Sequence, residues 1–185
     1  MRNFISKNKL LVILLIILII SFILNLLLKK SPEKKEGLTP KQNQATYQSL
    51  VPGTSTKEDV LNKLGEPAKE EEAGLIEFKS SSSERLHQVT LEGNIVKLIK
   101  ETVTLKDEKK INDIQKEFGK PRNVLYGDRS SAGFHLFVYP DKGIAYIGQP
   151  ESDLLLEVWY FPPTTLEDFI IKYASDYSST LQQSQ

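Results

Sequence analysis

An α+β fold carried on a membrane anchor is what three features of this sequence predict: a nineteen-residue uncharged run near the N-terminus, a helix-stop device used twice at a spacing of 54 residues, and short β-rich segments separated by turn residues. The chain has 185 residues, 24 basic and 24 acidic, and no cysteine. Its charge is unevenly divided. Residues 1–30 hold five basic groups (Arg2, Lys7, Lys9, Lys29 and Lys30) and no acid, so residues 31–185 carry 19 basic against 24 acidic groups, a net −5. An acidic domain repels phosphate, and nucleic acid is therefore not an expected partner. Without cysteine there is no disulfide framework, thiolate zinc site, thiol nucleophile or N-terminal lipid attachment through cysteine.

From Leu10 to Leu28 only Ser21 and Asn25 are polar. Nineteen residues at ~1.5 Å each approach the ~30 Å hydrocarbon core, so residues 1–30 read as a membrane anchor crossing through 10–28. The run is longer than a signal-peptide core, and Leu26-Leu27-Leu28-Lys29-Lys30 offers no small-residue cleavage site, which favours an uncleaved anchor. Lysines flank both ends and give the positive-inside rule little to act on. A nine-residue N-terminal flank is easily retained, so the expected location is the cell membrane, single-pass, with the C-terminal domain outside the cytoplasm. Residues 31–45 (SPEKKEGLTPKQNQA) are rich in charge, Pro and Gly and read as a flexible stalk; the Ser/Gln-rich residues 175–185 read as a disordered tail.

The foldable part begins with a helix marked at both ends. Ser55 with Glu58, or Thr56 with Asp59, can form a capping box; Val60, Leu61 and Leu64 make an apolar stripe; Gly65 can take a left-handed stop and Pro67 prevents resumption. The device recurs from Thr104 to Pro121, with Thr104 and Asp107 at the start, Ile111, Ile114 and Phe118 on one face, and Gly119-Lys120-Pro121 at the end. Val60 aligns with Ile114, Leu64 with Phe118, Gly65 with Gly119 and Pro67 with Pro121, which indicates an internal duplication. The first helix is followed by strand-like runs at Leu75–Lys79, Leu86–Leu91 and Ile95–Val103. The second is followed by Phe134–Tyr139, Ile144–Ile147 and Leu154–Phe161. A last helix, Thr165 to Ala174, presents Leu166, Phe169, Ile170 and Tyr173 to a sheet.

The stretch Tyr47 to Pro67, with an apolar residue, Gly, Ser/Thr, an acidic helix start and an apolar-x-x-apolar-Gly-x-Pro end before strands, resembles the SmpA/OmlA (BamE-like) domain family. Its tandem arrangement is similar to the β-lactamase inhibitory protein fold. The resemblance covers 46–103 well and 104–161 more weakly. It implies two tandem BamE-like units of short helices packed on antiparallel sheet, 46–103 and 104–174, the second including the C-terminal helix. It further implies a non-catalytic module binding a protein partner of the cell envelope, or alternatively an inhibitor of an envelope or secreted enzyme. Family members carry a lipidated N-terminal cysteine; here an apolar segment stands in its place.

Chemistry-bearing patterns are sparse. His87 and His135 lie on different strand-like runs without spaced ligand partners, so neither a metal site nor a cofactor is expected. Glu70-Glu71-Glu72 adjoins a turn and Lys69 and reads as solvated surface; no phosphate-loop motif occurs, and the one Ser-x-x-Lys outside the N-terminal flank, Ser31 to Lys34, lies in the stalk without companion motifs. The domain is not expected to be an enzyme. The expected partner-binding face comes from alternation: opposite the aliphatic sides of Phe134–Tyr139 and Leu154–Phe161 lie His135, Phe137 and Tyr139 on one strand and Glu157 and Trp159 on the other. The competing reading of that face is coverage by the C-terminal helix or the other repeat.

Overall fold

The computed structural model describes residues 44–80 and 85–181. Among them no helix is long and apolar enough to cross a membrane. The anchor expected at 10–28 and most of the expected stalk lie outside the described residues.

The first helix, α1 (Lys57–Leu64), starts where Thr56 and Asp59 close a capping box. The Asp59 carboxylate accepts from the Thr56 backbone N–H at 2.7 Å, and Thr56 Oγ1 takes the Asp59 N–H at 3.3 Å, so this pair forms the box rather than Ser55 with Glu58. Backbone bonding holds the Asp59 carboxyl below its ordinary range. The second helix, α2 (Ile111–Phe118), has the same eight-residue length at an offset of 54. Its start differs from the sequence expectation. Thr104 and Asp107 close a box around a separate 3-10 turn, Leu105–Asp107, which ends at Glu108 with φ +53°. The true counterpart of Asp59 is Asp113, whose carboxylate accepts from the Lys110 backbone N–H at 3.1 Å.

Both helices stop at the expected glycines, in a conformation other than the expected left-handed turn. Gly65 (φ +80°, ψ −152°) and Gly119 (φ +82°, ψ −173°) combine positive φ with extended ψ, a region nearly exclusive to glycine. Each donates its N–H four residues back, to Leu61 and Gln115, and then leaves the helix axis directly toward Pro67 and Pro121.

Each helix is followed by four antiparallel strands, one more than the sequence reading finds. After α1 come β1 (Lys69–Glu70), β2 (Leu75–Lys79), β3 (Leu86–Glu92) and β4 (Ile95–Thr102); after α2 come β5 (Asn123–Leu125), β6 (His135–Tyr139), β7 (Ile144–Gln149) and β8 (Leu154–Tyr160). All eight form one sheet in the order β1-β2-β3-β4-β8-β7-β6-β5. The halves therefore meet at the antiparallel β4–β8 pair, where Ile99 faces Tyr160 and Lys100 faces Trp159, and each runs outward to a very short edge strand. The last helix, α3 (Leu166–Tyr173), is capped by Thr165, which accepts from the Asp168 N–H at 3.1 Å.

The sheet buries apolar residues on both faces. On one, α1 and α2 cover a cluster that includes Val60, Ile76, Val89, Val96, Ile114, Tyr146 and Val158, with Ala45, Tyr47 and Leu50 packed among them. On the other, α3 covers Leu125, Leu136, Val138, Ala145, Ile147, Trp159 and Phe161, with Phe161 and Phe169 ring centroids 4.6 Å apart. Two expected boundaries shift. Ala45 is buried and its N–H donates to Lys142 O at 2.9 Å, so the domain already includes the end of the expected stalk. Tyr126 and Ser178 exchange backbone hydrogen bonds of 2.8 and 2.9 Å, and Tyr177 lies edge-on to Trp159, so the segment expected as a disordered tail is packed at least to Ser178.

Candidate functional site

The five residues expected to share a partner-binding face lie on opposite sides of the sheet. Register settles this. Phe137 pairs with Tyr146, which pairs with Val158, so His135, Phe137 and Tyr139 belong to the face of α1 and α2. Leu136 pairs with Ile147 and Ile147 with Glu157, so Glu157 and Trp159 belong to the face of α3. Phe137 and Tyr139 are 7% and 6% exposed and Trp159 is 3% exposed, which makes all three interior residues in this structure. Phe137 stacks on Tyr146 with centroids 4.9 Å apart, and the Tyr139 hydroxyl donates to Gly119 O at 2.7 Å, tying β6 to the stop of α2. His135 is half-buried, its ring edge-on to Tyr126 at 5.1 Å.

Helix α3 packs on the β5–β8 half of its face and on Leu98 of β4. The remaining half carries a different surface. One cross-strand row runs Glu77, Gln88, Lys100, Trp159, each the register partner of the next. The Gln88 amide donates to Glu77 Oε1 at 3.0 Å. Lys100 Nζ stands 3.9 Å from the centroid of the Trp159 ring, a cation–π contact. Burial pushes the Lys100 ammonium below its ordinary pKa, against the opposing pull of Glu157 and Asp176.

Glu157 organises the neighbouring row. Its Oε2 accepts the Trp159 indole N–H at 3.0 Å, while Oε1 lies 3.4 Å from Arg129 and 3.8 Å from Arg85. Arg129 comes from the loop between β5 and β6 and Arg85 immediately precedes β3, so with Trp159 of β8 three separate parts of the chain converge on one carboxylate. Glu77, Arg85, Leu86, Gln88, Lys100, Thr102 and Glu157 line an open cleft of about 340 Å³. Of these residues the sequence reading singles out only Glu157. Lys100 is one of two lysines, with Lys97, in the strand-like run Ile95 to Val103, and strand order is needed to know what it faces.

A second cleft, of about 360 Å³, opens on the α1 side beside Tyr47, His87, Glu101 and Asp107. Its polar groups are already engaged. Glu101 Oε2 accepts from the Tyr160 hydroxyl at 2.9 Å and from Lys109 at 2.6 Å, and His87 Nδ1 accepts the Thr102 N–H at 3.0 Å. Burial and the Glu101 carboxylate push the Tyr47 phenol up to about 12. This is the chemistry of a cross-linked core edge rather than of a nucleophile. Among the described residues no group of three His, Asp or Glu side chains is placed to hold a metal ion. Glu70 and Glu71, from the acidic run, pair with Lys57 and Lys69 at the surface.

No family model and no curated protein matches the chain. Two solved structures align with part of the chain. A DUF4309 family protein (YjgB) from Bacillus subtilis aligns at 15% identity over 65% of this chain and 88% of its own, with a TM-score of 0.46. An extracellular protein containing a SCP domain from Bacillus anthracis aligns at 16% identity and a TM-score of 0.42; the alignment covers 77% of this chain and 55% of that protein.

Proposed function

We propose that this chain is a membrane-anchored, extracytoplasmic protein-binding or scaffold module of the cell envelope, built from two tandem BamE-like units and acting without chemistry of its own. The observation that carries the binding reading is the half of the sheet over β2–β4 and the edge of β8 that α3 leaves without a helix. Its polar groups are arranged by residues from distant parts of the chain, as the convergence of Arg85, Arg129 and Trp159 on Glu157 illustrates. Interfaces are enriched in such arginine and tryptophan sites, ordered before the partner arrives. The tandem reading is supported by two eight-residue helices offset by 54, each followed by four antiparallel strands, with the halves joined at β4–β8. The anchoring rests on Leu10 to Leu28, and the outward orientation on the nine-residue flank that precedes it.

A photo-crosslinking residue placed at Gln88 in the full-length protein tests the binding face. A discrete adduct with an envelope protein, absent when the same residue replaces Glu117 on the outer side of α2, is the expected result. Equal labelling from both positions, or none from Gln88, overturns the assignment of this face.

A further inference from the structure

We infer that, with Leu10 to Leu28 read as a membrane anchor, the cleft between the stop of α2 and the β6–β7 turn takes a phosphate-bearing anion, and that its source is the headgroup of an anionic phospholipid in the bilayer that holds the anchor. The cleft is open, holds about 410 Å³ and is lined by Phe118, Lys120, Arg122, Tyr139, Asp141 and Lys142 among others. Its neutral polar groups are spent inside the fold: the Tyr139 hydroxyl donates to Gly119 O at 2.7 Å, and the Asn123 amide donates to Val138 O at 3.2 Å. Three cations, Lys120, Arg122 and Lys142, and one carboxylate, Asp141, remain in the lining to meet a ligand.

These charges are not cancelled locally. Asp141 Oδ2 lies 3.5 Å from Lys142 Nζ, whereas among the described residues neither Lys120 nor Arg122 has a carboxylate within 4 Å. Acids on the surrounding elements do not line the cleft. Glu117 lines its neighbour, which shares Phe118, together with Lys109 and Asp113, and Asp113 is paired with Lys116. On α3, which packs on the opposite face of the sheet, Asp168 is paired with Lys172 and Glu167 stands exposed in the first turn. The lining is therefore net +2, and still +1 with Glu117 counted. An arginine fork beside two ammonium groups is the donor set that phosphate oxygens match.

Position decides the source. The chain enters the domain beside this cleft, where the Ala45 N–H donates to Lys142 O at 2.9 Å. The fourteen residues 31–44, read as a flexible stalk, link that point to the end of the anchor, and a coil of this length spans about 20 Å r.m.s.. A cleft at the point of entry meets headgroups more often than one at the other end of the sheet, an advantage that a free ion does not share. Each lysine or arginine held near an anionic surface strengthens the contact about fivefold.

The test uses the full chain in nanodiscs of phosphatidylcholine doped with a phosphatidylglycerol that carries a diazirine in its headgroup. Adducts are expected on residues 118–123 and 139–142. They should fall about fivefold in Lys120→Gln and in Arg122→Gln and be retained in Lys120→Arg. Lys106→Gln, beyond the opposite end of β4, should behave as wild type. Equal melting temperatures of wild type and the glutamine variants would assign the loss to headgroup contact.

Absence of adducts on these segments, or adducts unaltered in both cleft variants, overturns the inference. Equal labelling by a phosphatidylcholine with the same diazirine does so too, since nearness to the bilayer would then suffice. So does competition by millimolar inorganic phosphate beyond that of chloride at matched ionic strength, which would make this a site for the free ion. A phosphatidylglycerol with the diazirine in its acyl chain reports on the anchor separately. Adducts at 10–28 with none at the cleft leave the anchor standing and sink the headgroup site; adducts at neither remove the anchor reading and the inference with it.

Discussion

Asp153, in the loop between β7 and β8, caps a helix forty-one residues earlier: its Oδ1 accepts the Asn112 backbone N–H at 3.1 Å and its Oδ2 the Asn112 side-chain amide at 3.0 Å. The first half uses the same closure with different chemistry, since Asn94 in the β3–β4 turn accepts the Lys57 N–H through its backbone carbonyl at 3.0 Å. In each half the last hairpin thus satisfies a free donor at the start of that half's helix, fixing helix against sheet.

Asp153→Ala should lower stability by about 1 kcal/mol, the usual cost of a lost N-terminal cap, with Asp153→Asn losing less. Asp153 also holds φ at +55°, so Asp153→Gly removes the cap while relieving backbone strain and should fall between wild type and Asp153→Ala. Denaturant midpoints of the three variants check the order. An unchanged Asp153→Ala would mean that water replaces the cap at no cost.

Gly65→Ala and Gly119→Ala should each cost about 1–3 kcal/mol, because positive φ with extended ψ is strained for any side chain. A Cβ built at either site meets nothing within 4 Å, so steric crowding cannot contribute. Gly65→Val and Gly119→Val should lose only slightly more than the alanine variants. Thermal or denaturant stability equal to wild type in all four variants would remove the special backbone role from both glycines.

Trp159→Ala should lower stability by about 3–5 kcal/mol, the range for truncating a buried aromatic. At 3% exposure, packed against Phe169 and Tyr177 and lying under the Lys100 ammonium, the indole supports the sheet from within the core. Its emission in the free domain should be shielded from soluble quenchers. Full quenching in the native protein, with no loss of melting temperature in Trp159→Ala, would contradict the packing described here.

The helices were legible because stripe, Gly and Pro are local signals that place both helix ends at Gly65 and Gly119, whereas the start of α2 was misplaced because the Thr104–Asp107 box caps a separate 3-10 turn six residues earlier. Strands β1 and β5 were not legible, since two or three residues such as Lys69-Glu70 show no alternation. The binding face failed for a sharper reason. Alternation separates the two sides of one strand but says nothing about which side of the next strand they join, and here the phase inverts: Phe134, Leu136 and Val138 share a face with Trp159 and Phe161. A bulge between Ile147 and Gly148 compounds this, placing Leu155 with Val158 and Tyr160 although their spacing is odd. Glu157 was reached by alternation along its own strand, whereas Lys100, Arg85 and Arg129 become neighbours of it only once β4 is known to lie beside β8.

Stability should also fall below about pH 6.5 through His87. Its Nδ1 accepts the Thr102 N–H, so the folded state favours the neutral ring, and burial lowers its pKa from the ordinary 6.5, with Glu101 and Asp107 opposing and Lys109 reinforcing the shift. Around it, Tyr47 lies 6.0 Å away, while Lys63 from α1 and Lys79 from β2 line the same cleft. As pH drops, the unfolded chain takes up a proton near 6.5 before the folded one does, so protonation favours unfolding. The His87 contribution is full above pH 6.5 and declines between that value and the lower folded one, at no more than about 1.4 kcal/mol per pH unit. Below that window Nδ1 carries a proton toward the Thr102 N–H, and the end of the β3–β4 ladder loses its acceptor. Urea midpoints at pH 7.5, 6.5 and 5.5, compared between wild type and His87→Gln, isolate this group while carboxylates remain ionised. The wild type should lose stability across the range and His87→Gln should lose markedly less; parallel slopes in the two proteins would assign the pH dependence to other groups.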